Sequence, residues 1–231
     1  MNCVLLMPFV APMQSWGTRS RFQERDTERE PSKSGVIGLL CAALGRDRSE
    51  PIDDLTTLRM GVRVDIEGLL RTDFQTVQNV IVASGEKVEN QISNRHYLAD
   101  AAFLVGLEGD EQLLRNIHAA LANPVWHLFL GRKSYVASLP VYQPDGLKIN
   151  SELRTALIEY PLLCNVDTSK DLIIRIVMEC NEVTHESRMD NPVSFAYYRR
   201  EFRERFIKTE YVPIRMFSCK EAQNVPVKNT T

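Results

Sequence analysis

One stretch limits the possible folds more than any other: Pro31-Ser32-Lys33-Ser34-Gly35, then VIGLLCAAL, then Gly45. Pro and Ser at the start and Gly at the end are helix boundary signals, and the residues between are apolar almost all round. This predicts a capped helix buried on every side rather than laid on a surface. Gly35 and Gly38 would let it approach a neighbouring element closely. It is also the longest apolar run, far short of the ~20 residues that cross a bilayer. Such a helix must be covered by other layers, and strand-like runs are present to do so. Val4 to Val10 (VLLMPFV), Met60 to Asp65 and Ala101 to Leu107 (AAFLVGL) all read as buried strands.

The remaining elements are placed by local signals. Ile52 to Leu58 reads as a short helix. Asp110 is positioned to cap a helix running to Leu121, with Leu113, Leu114, Ile117, Ala120 and Leu121 on one stripe, and Asn123-Pro124 stops it. The apolar Val125 to Leu130 then reads as a strand. Leu69 to Ala83 and Lys87 to Tyr97 flank a Ser84-Gly85-Glu86 turn signal and predict a hairpin with a weak apolar face, projecting from the core. This order predicts an α+β, ferredoxin-like domain over residues 1–148 with a hairpin at about 69–98. Residues 149–217 form a smaller region with a helix near Ser151 to Glu159 and strands at Leu172 to Met178 and Tyr211 to Phe217. The polar tail, 218–231, is expected to fray.

Composition narrows the function classes. With 44% hydrophobic and 25% charged residues the chain is of globular type. Its 28 basic and 30 acidic residues give a net charge of −2, so no global positive field draws it onto a polyanion, and any such site must be a local patch. The five cysteines are far apart, with no CxxC and no zinc-ligand spacing, so reduced thiols and no metal are expected. GxSxG, HExxH, GxGxxG, DxDxDG and Walker patterns are missing, as is an RRM consensus stretch; no cofactor is expected. The N-terminal Met1 to Leu6 has neither a positive flank nor a small-residue cleavage site, and a cytoplasmic protein without membrane contact is expected.

Four segments could grip phosphate. Ser32, Lys33 and Ser34 open the buried helix, where backbone N–H groups and an ammonium could close on an anion; plain helix capping is the simpler reading. Gly131-Arg132-Lys133-Ser134 follows the run ending at Leu130, either as a phosphate grip or as a solvated turn. Asn94-Arg95-His96-Tyr97 lies on the returning hairpin arm, where Arg95 could pair with phosphate, Tyr97 could stack on a base and His96 could serve as a base. Tyr197 to Lys208 (YYRREFRERFIK), with Arg199 near its start, holds five basic and two acidic residues among four aromatics. The alternative there is an amphipathic segment packing Tyr198, Phe202 and Phe206. The long polar stretch from Ala11 to Glu30, carrying Gln14, Trp16 and Arg19, reads as a functional loop.

The order of these segments resembles the CasD family of the type I-E CRISPR Cascade complex. Ala11-Pro12-Met13-Gln14-Ser15-Trp16-Gly17 is similar to that family's GPMQ-x-WG, and Pro31 to Leu40 to its P-T-[RK]-S-G-[LV]-[LI]-G-L-L. Arg95 to Ala101 resembles R-x-Y-L-x-D-A, and Leu130 to Ser134 resembles L-G-R-[RK]-S-C, with Tyr135 in place of the Cys. The resemblance implies a ferredoxin-like, RRM-related domain with a protruding β-hairpin thumb and a small C-terminal β-rich region. It implies a non-catalytic RNA-binding subunit that holds and caps the 5′ handle of the CRISPR RNA, and for that task the segments above offer Gln14, Trp16, Arg19, Ser32, Lys33, Ser34, Arg95, His96, Tyr97, Arg132, Lys133, Ser134 and Arg199 as the expected contacts. Its implied partners are the first backbone subunit and the large subunit, with target DNA reached through the complex. Two other readings compete. One is a metal-independent endoribonuclease using Tyr97, His96 and Lys133, as in type I-C relatives; the other is a structural plug without RNA contact.

Overall fold

A computed structural model describes residues 2–19, 23–81, 85, 88–164, 172–183 and 186–218; the expected tail lies outside these from residue 219 on. The first half holds β1 (Cys3–Val10), β2 (Met13–Gln14), β3 (Glu24–Arg25), α1 (Lys33–Leu44), α2 (Asp53–Thr56) and β4 (Arg59–Ile66). It continues through β5 (Leu69–Ile81), β6 (Val88–Ala99), β7 (Ala102–Gly109) and α3 (Glu111–Ala122). The remainder holds β8 (Leu147–Ile149), α4 (Leu153–Glu159), β9 (Ile173–Cys180), β10 (Ser187–Ser194), β11 (Glu201–Pro213) and a 3₁₀ turn at Ile214–Met216.

The larger sheet has seven antiparallel strands in the order β10-β11-β9-β4-β7-β1-β8. Its β8-β1-β7-β4 part is the ferredoxin-like arrangement, with α1 joining β1 to β4, and α3 preceding β8. The β5–β6 hairpin is inserted between β4 and β7. Strand β1 shows why VLLMPFV is apolar without a break. Leu5, Met7 and Phe9 point into one core with Ile37, Leu40, Leu114 and Ile117 of the helices. Val4 and Leu6 point the other way, onto Leu153 and Leu157 of α4 with Ile176 and Val212. Alternate residues of one strand thus feed two cores, and both faces are dry.

The helix caps follow the residues that signal them. Ser32 Oγ accepts the Gly35 N–H at 3.3 Å, Asp110 Oδ1 accepts that of Leu113 at 2.8 Å, and Gly45 closes α1 at φ 74°. Gly35 is needed for close approach, since a Cβ there would stand 2.9 Å from Trp16 Cε3. Gly38 is not, because a Cβ there would meet nothing within 4 Å.

Two elements depart from the sequence reading. Val125 to Leu130 is not a strand. The N–H groups of Val125 and Trp126 instead donate to the carbonyls of Ala43 and Ala42, satisfying the last turn of α1. The fourth ferredoxin strand is β8, only three residues long, paired with Cys3 to Leu5. Beyond it, residues 149–217 lay α4 on the sheet and add β9, β11 and β10 to the edge at β4. Tyr211 to Phe217 is split, its first part ending β11 and its second making the 3₁₀ turn.

Candidate nucleic-acid interface

The second sheet is built around β6. Strand β5 runs along one side of it, and β2 and β3 dock on the other, β2 opposite Leu98 and Ala99 and β3 parallel to Asn94 and Arg95. Register decides what each residue can do. Arg25 lies beside Arg95, and alternation puts Arg95 and Tyr97 on one face of β6 and Asn94 and His96 on the other. On the second face Glu24 Oε1 accepts Asn94 Nδ2 at 2.8 Å, and Glu24 Oε2 lies 3.2 Å from His96 Nε2. These bonds, Asn94's first, hold the Glu24 carboxyl below its ordinary range. His96 Nδ1 lies 2.9 Å from Thr72 Oγ1, so both ring nitrogens have partners.

On the first face Tyr97 packs at a tilt on Tyr135, centroids 6.1 Å apart. Tyr135 belongs to the turn that starts at Gly131. Gly131 has φ 95°, and a Cβ there would overlap the Ser15 carbonyl, so only glycine lets the turn press against this loop. The turn is held by the fork of Arg132, which donates to the Tyr135 hydroxyl at 2.7 Å, the His96 carbonyl at 2.9 Å and, more distantly, the Arg25 carbonyl at 3.4 Å. Ser15 Oγ adds a bond to the same His96 carbonyl at 3.1 Å. Lys133 and Ser134 follow as exposed residues at the tip. Arg95, half-buried, has its Nε 3.0 Å from Ser93 Oγ. Three segments widely separated in sequence therefore meet: the loop at Ser15 with β3, the arm at Arg95 to Tyr97, and the turn at Arg132 to Tyr135.

Other expected site residues lie elsewhere. Lys33 is buried, and its ammonium is 2.9 and 3.0 Å from the two oxygens of Glu179 and 3.0 Å from the Thr56 carbonyl. Burial lowers its pKa and Glu179 opposes that shift. The helix start is also filled from within, as Asp190 Oδ2 accepts the Lys33 N–H at 2.8 Å while pairing with buried Arg205. Ser32 is a buried cap. Gln14 is buried, donating to the carbonyls of Phe9 and Ala101 at 3.0 and 2.8 Å, and Trp16 is buried in a stack on Phe9 with centroids 5.4 Å apart. These four residues hold the loop and α1 to the sheet. Arg19 is exposed, its N–H bonded to Asp26.

Ser34 opens into a cleft of about 250 Å³ shared with Thr18, Arg25, Met189, Arg200 and Phe202. Arg199 stands exposed next to Arg200, its Nε 3.5 Å from a Glu201 oxygen. The packing expected for Tyr197 to Lys208 is partly inverted: Tyr198 is 89% exposed, whereas Arg205 is buried on Asp190. Sequence reasoning passed over Arg25, Arg200 and Tyr135. Arg25 stands among alternating charges that nearly cancel, and only the β3–β6 register reveals its position. Among the described residues no group of three or more His, Cys, Asp or Glu side chains could hold a metal ion. No helix among them is long and apolar enough to cross a membrane.

Fold and site together define an α+β protein in which a ferredoxin-like sheet carries an inserted hairpin with a cationic face at its base. Residues 4–208 match the CRISPR-associated protein (Cas_Cas5) family, and the chain belongs to it. It is 30% identical over 178 residues to the CRISPR system Cascade subunit CasD of Escherichia coli (strain K12), covering 69% of this chain and 78% of that one. Two solved structures are similar. One, described as a Cas protein, shares 44% identity with a TM-score of 0.75, covering 93% of this chain and 97% of its own. The other, from a CRISPR RNA-guided surveillance complex, shares 33% identity with a TM-score of 0.77, covering 93% of each chain.

Proposed function

We propose that this chain is a non-catalytic RNA-binding subunit of a type I-E Cascade surveillance complex, holding and capping the 5′ handle of the CRISPR RNA. One observation carries the reading. Arg25, Arg95 and the Arg132-Lys133 turn converge beside Tyr97 in a chain whose net charge is −2. A local cationic face with an aromatic beside it suits a bent single strand, whose phosphates need cations and whose bases need flat surfaces. The relationship to CasD of E. coli supports the same role. Such a subunit works in the cytoplasm beside the backbone and large subunits, and meets target DNA only through the complex, where base pairing reads the sequence. It needs no cofactor. Exposed Phe74 and Ile81 on β5, with Ile92 of β6, leave one face of the hairpin an apolar surface suited to neighbouring subunits.

A holding role rather than a cutting one is supported by the split of the cleavage candidates. His96 and Tyr97 lie on opposite faces of β6, and both nitrogens of His96 are engaged. The experiment is co-purification of the full chain with short RNA whose 5′ ends are sequenced, followed by incubation with labelled repeat RNA in EDTA. A uniform repeat-derived 5′ leader and no cleavage product are expected. Random 5′ ends would contradict handle binding, and a discrete product would make the chain a metal-independent endoribonuclease.

A further inference from the structure

We infer that the cleft between β3, the start of α1 and the β10–β11 hairpin takes one nucleotide of single-stranded RNA, with the exposed tip of that hairpin as a stacking platform beside it. The inference rests on the RNA-binding reading above and extends it to the far end of the larger sheet.

The chemistry of the cleft has two halves. Arg25 and Arg200 both line it, together with Ser34 at the start of α1. None of its lining residues is acidic, and among the described residues neither guanidinium is paired with a carboxylate. In a chain rich in ion pairs, two arginines at one concavity with no carboxylate partner among the described residues suit an external anion, and the planar fork of arginine suits a phosphate. The other half is apolar. Phe202 lies under Arg200, 5.3 Å from the guanidinium carbon to the ring centre, and Met189 is 54% exposed at the same wall. A flat aromatic with an adaptable thioether suits a base rather than a bare ion. At about 250 Å³ the cleft falls below the ~300–1,000 Å³ of typical small-molecule sites, which fits one unit of a polymer better than a free cofactor.

The hairpin tip adds the second observation. Tyr197 and Tyr198 are 85% and 89% exposed, the first with the Arg48 guanidinium over its ring at 5.1 Å. Two exposed aromatics followed by Arg199 and Arg200 form the aromatic-and-cation surface on which unpaired bases stack. Aromatics and arginines also mark protein interfaces. RNA is favoured here because Arg25 belongs to both sites. It lines the cleft while sitting in register beside Arg95, so a strand on the Arg95 face reaches the cleft without a break.

The test is fluorescence anisotropy of the full chain with a labelled single-stranded RNA of about eight nucleotides, across a salt series. Tyr198→Ala should weaken binding about tenfold or more. Arg200→Ala should weaken it and reduce the slope of log affinity against log salt by about 0.7, while Arg200→Lys keeps the slope. Both substituted positions are exposed, and circular dichroism should be unaltered. In the unmodified chain, RNA carrying 5-iodouridine should crosslink to the peptides holding Tyr198 or Phe202. Normal affinity and slope in Arg200→Ala and Tyr198→Ala, with crosslinks confined to the Tyr97 peptide, would overturn the cleft and leave the RNA-binding reading intact. If Tyr198→Ala keeps full RNA affinity but no longer co-purifies with the other complex subunits when expressed with them, the tip is a protein interface, which equally overturns the proposal. No RNA binding by the unmodified chain would overturn both.

Discussion

The ammonium of Lys33 lies 2.9 Å from Oε1 of Glu179, joining the first residue of α1 to β9, and the lysine side chain is 1% exposed. A residue that a linear reading offers to phosphate thus spends its charge inside the protein. Removing one partner of a buried ion pair leaves the other uncompensated, which typically costs about 3–5 kcal/mol. Lys33→Met should lower stability by that order in a urea titration, and Lys33→Met with Glu179→Leu should recover most of it. RNA affinity per folded molecule should not change. Weakened RNA binding at unaltered stability would instead make Lys33 a contact.

The two glycines of α1 should respond in opposite directions. Gly38→Ala fills open space and gains helix propensity, raising stability by up to about 1 kcal/mol. Gly35→Ala drives a methyl against Trp16, itself wedged on Phe9, and should destabilise by roughly 1–3 kcal/mol. Thermal unfolding of the two variants, side by side, checks the geometry of the PMQSWG loop directly.

The turn after Gly131 should separate shape from charge. Lys133→Ala removes an exposed cation, so the unfolding midpoint should hold while RNA affinity falls. Arg132→Lys keeps the charge but cannot bond the Tyr135 hydroxyl and the His96 carbonyl together, and should cost about 1.5–3 kcal/mol of stability. Denaturation and RNA titration on both variants would reveal whether the two neighbours do different work.

Acid should weaken the fold through carboxylates that arginines hold ionised. Hydrogen bonding from Arg46 lowers the Asp54 carboxyl below 3.8, and that from Arg154 lowers Glu210 below 4.5. Between folded and unfolded values the unfolded chain binds more protons, so this stability is complete above about pH 4.5 and is lost as pH falls through the folded values. Both pairs are partly exposed, so each contributes only about 0–1 kcal/mol. Arg154→Ala should make the acid-side decline of the urea midpoint shallower; an unchanged profile would show that the pair is not formed in solution.

What the sequence made legible was local. The apolar helix between Ser32 and Gly45, the Asp110 cap, the buried strands and the hairpin are written in runs and turn residues that need no distant partner. The Arg95 and Arg132 segments were also readable, and the fold brings them together through the His96 carbonyl. Lys33 was misleading because Glu179 and Asp190 stand 146 and 157 positions away, and nothing in its neighbourhood announces them. Gln14 and Trp16 look like loop polarity and a stacking ring, but Phe9 and Ala101 bury them. Val125 to Leu130 is apolar like a strand, yet its backbone is drawn to the open carbonyls of α1. Strand β8 is too short to carry a pattern at all.

The most direct measurement is the salt dependence of handle-RNA affinity for the full chain and for Arg95→Ala, Lys133→Ala and Lys33→Met. If a convergent cationic face holds the strand, each of the first two substitutions lowers the slope by about 0.7, and Lys33→Met leaves it where it was. An unmodified chain that ignores RNA, or slopes that move only with Lys33, would contradict the account.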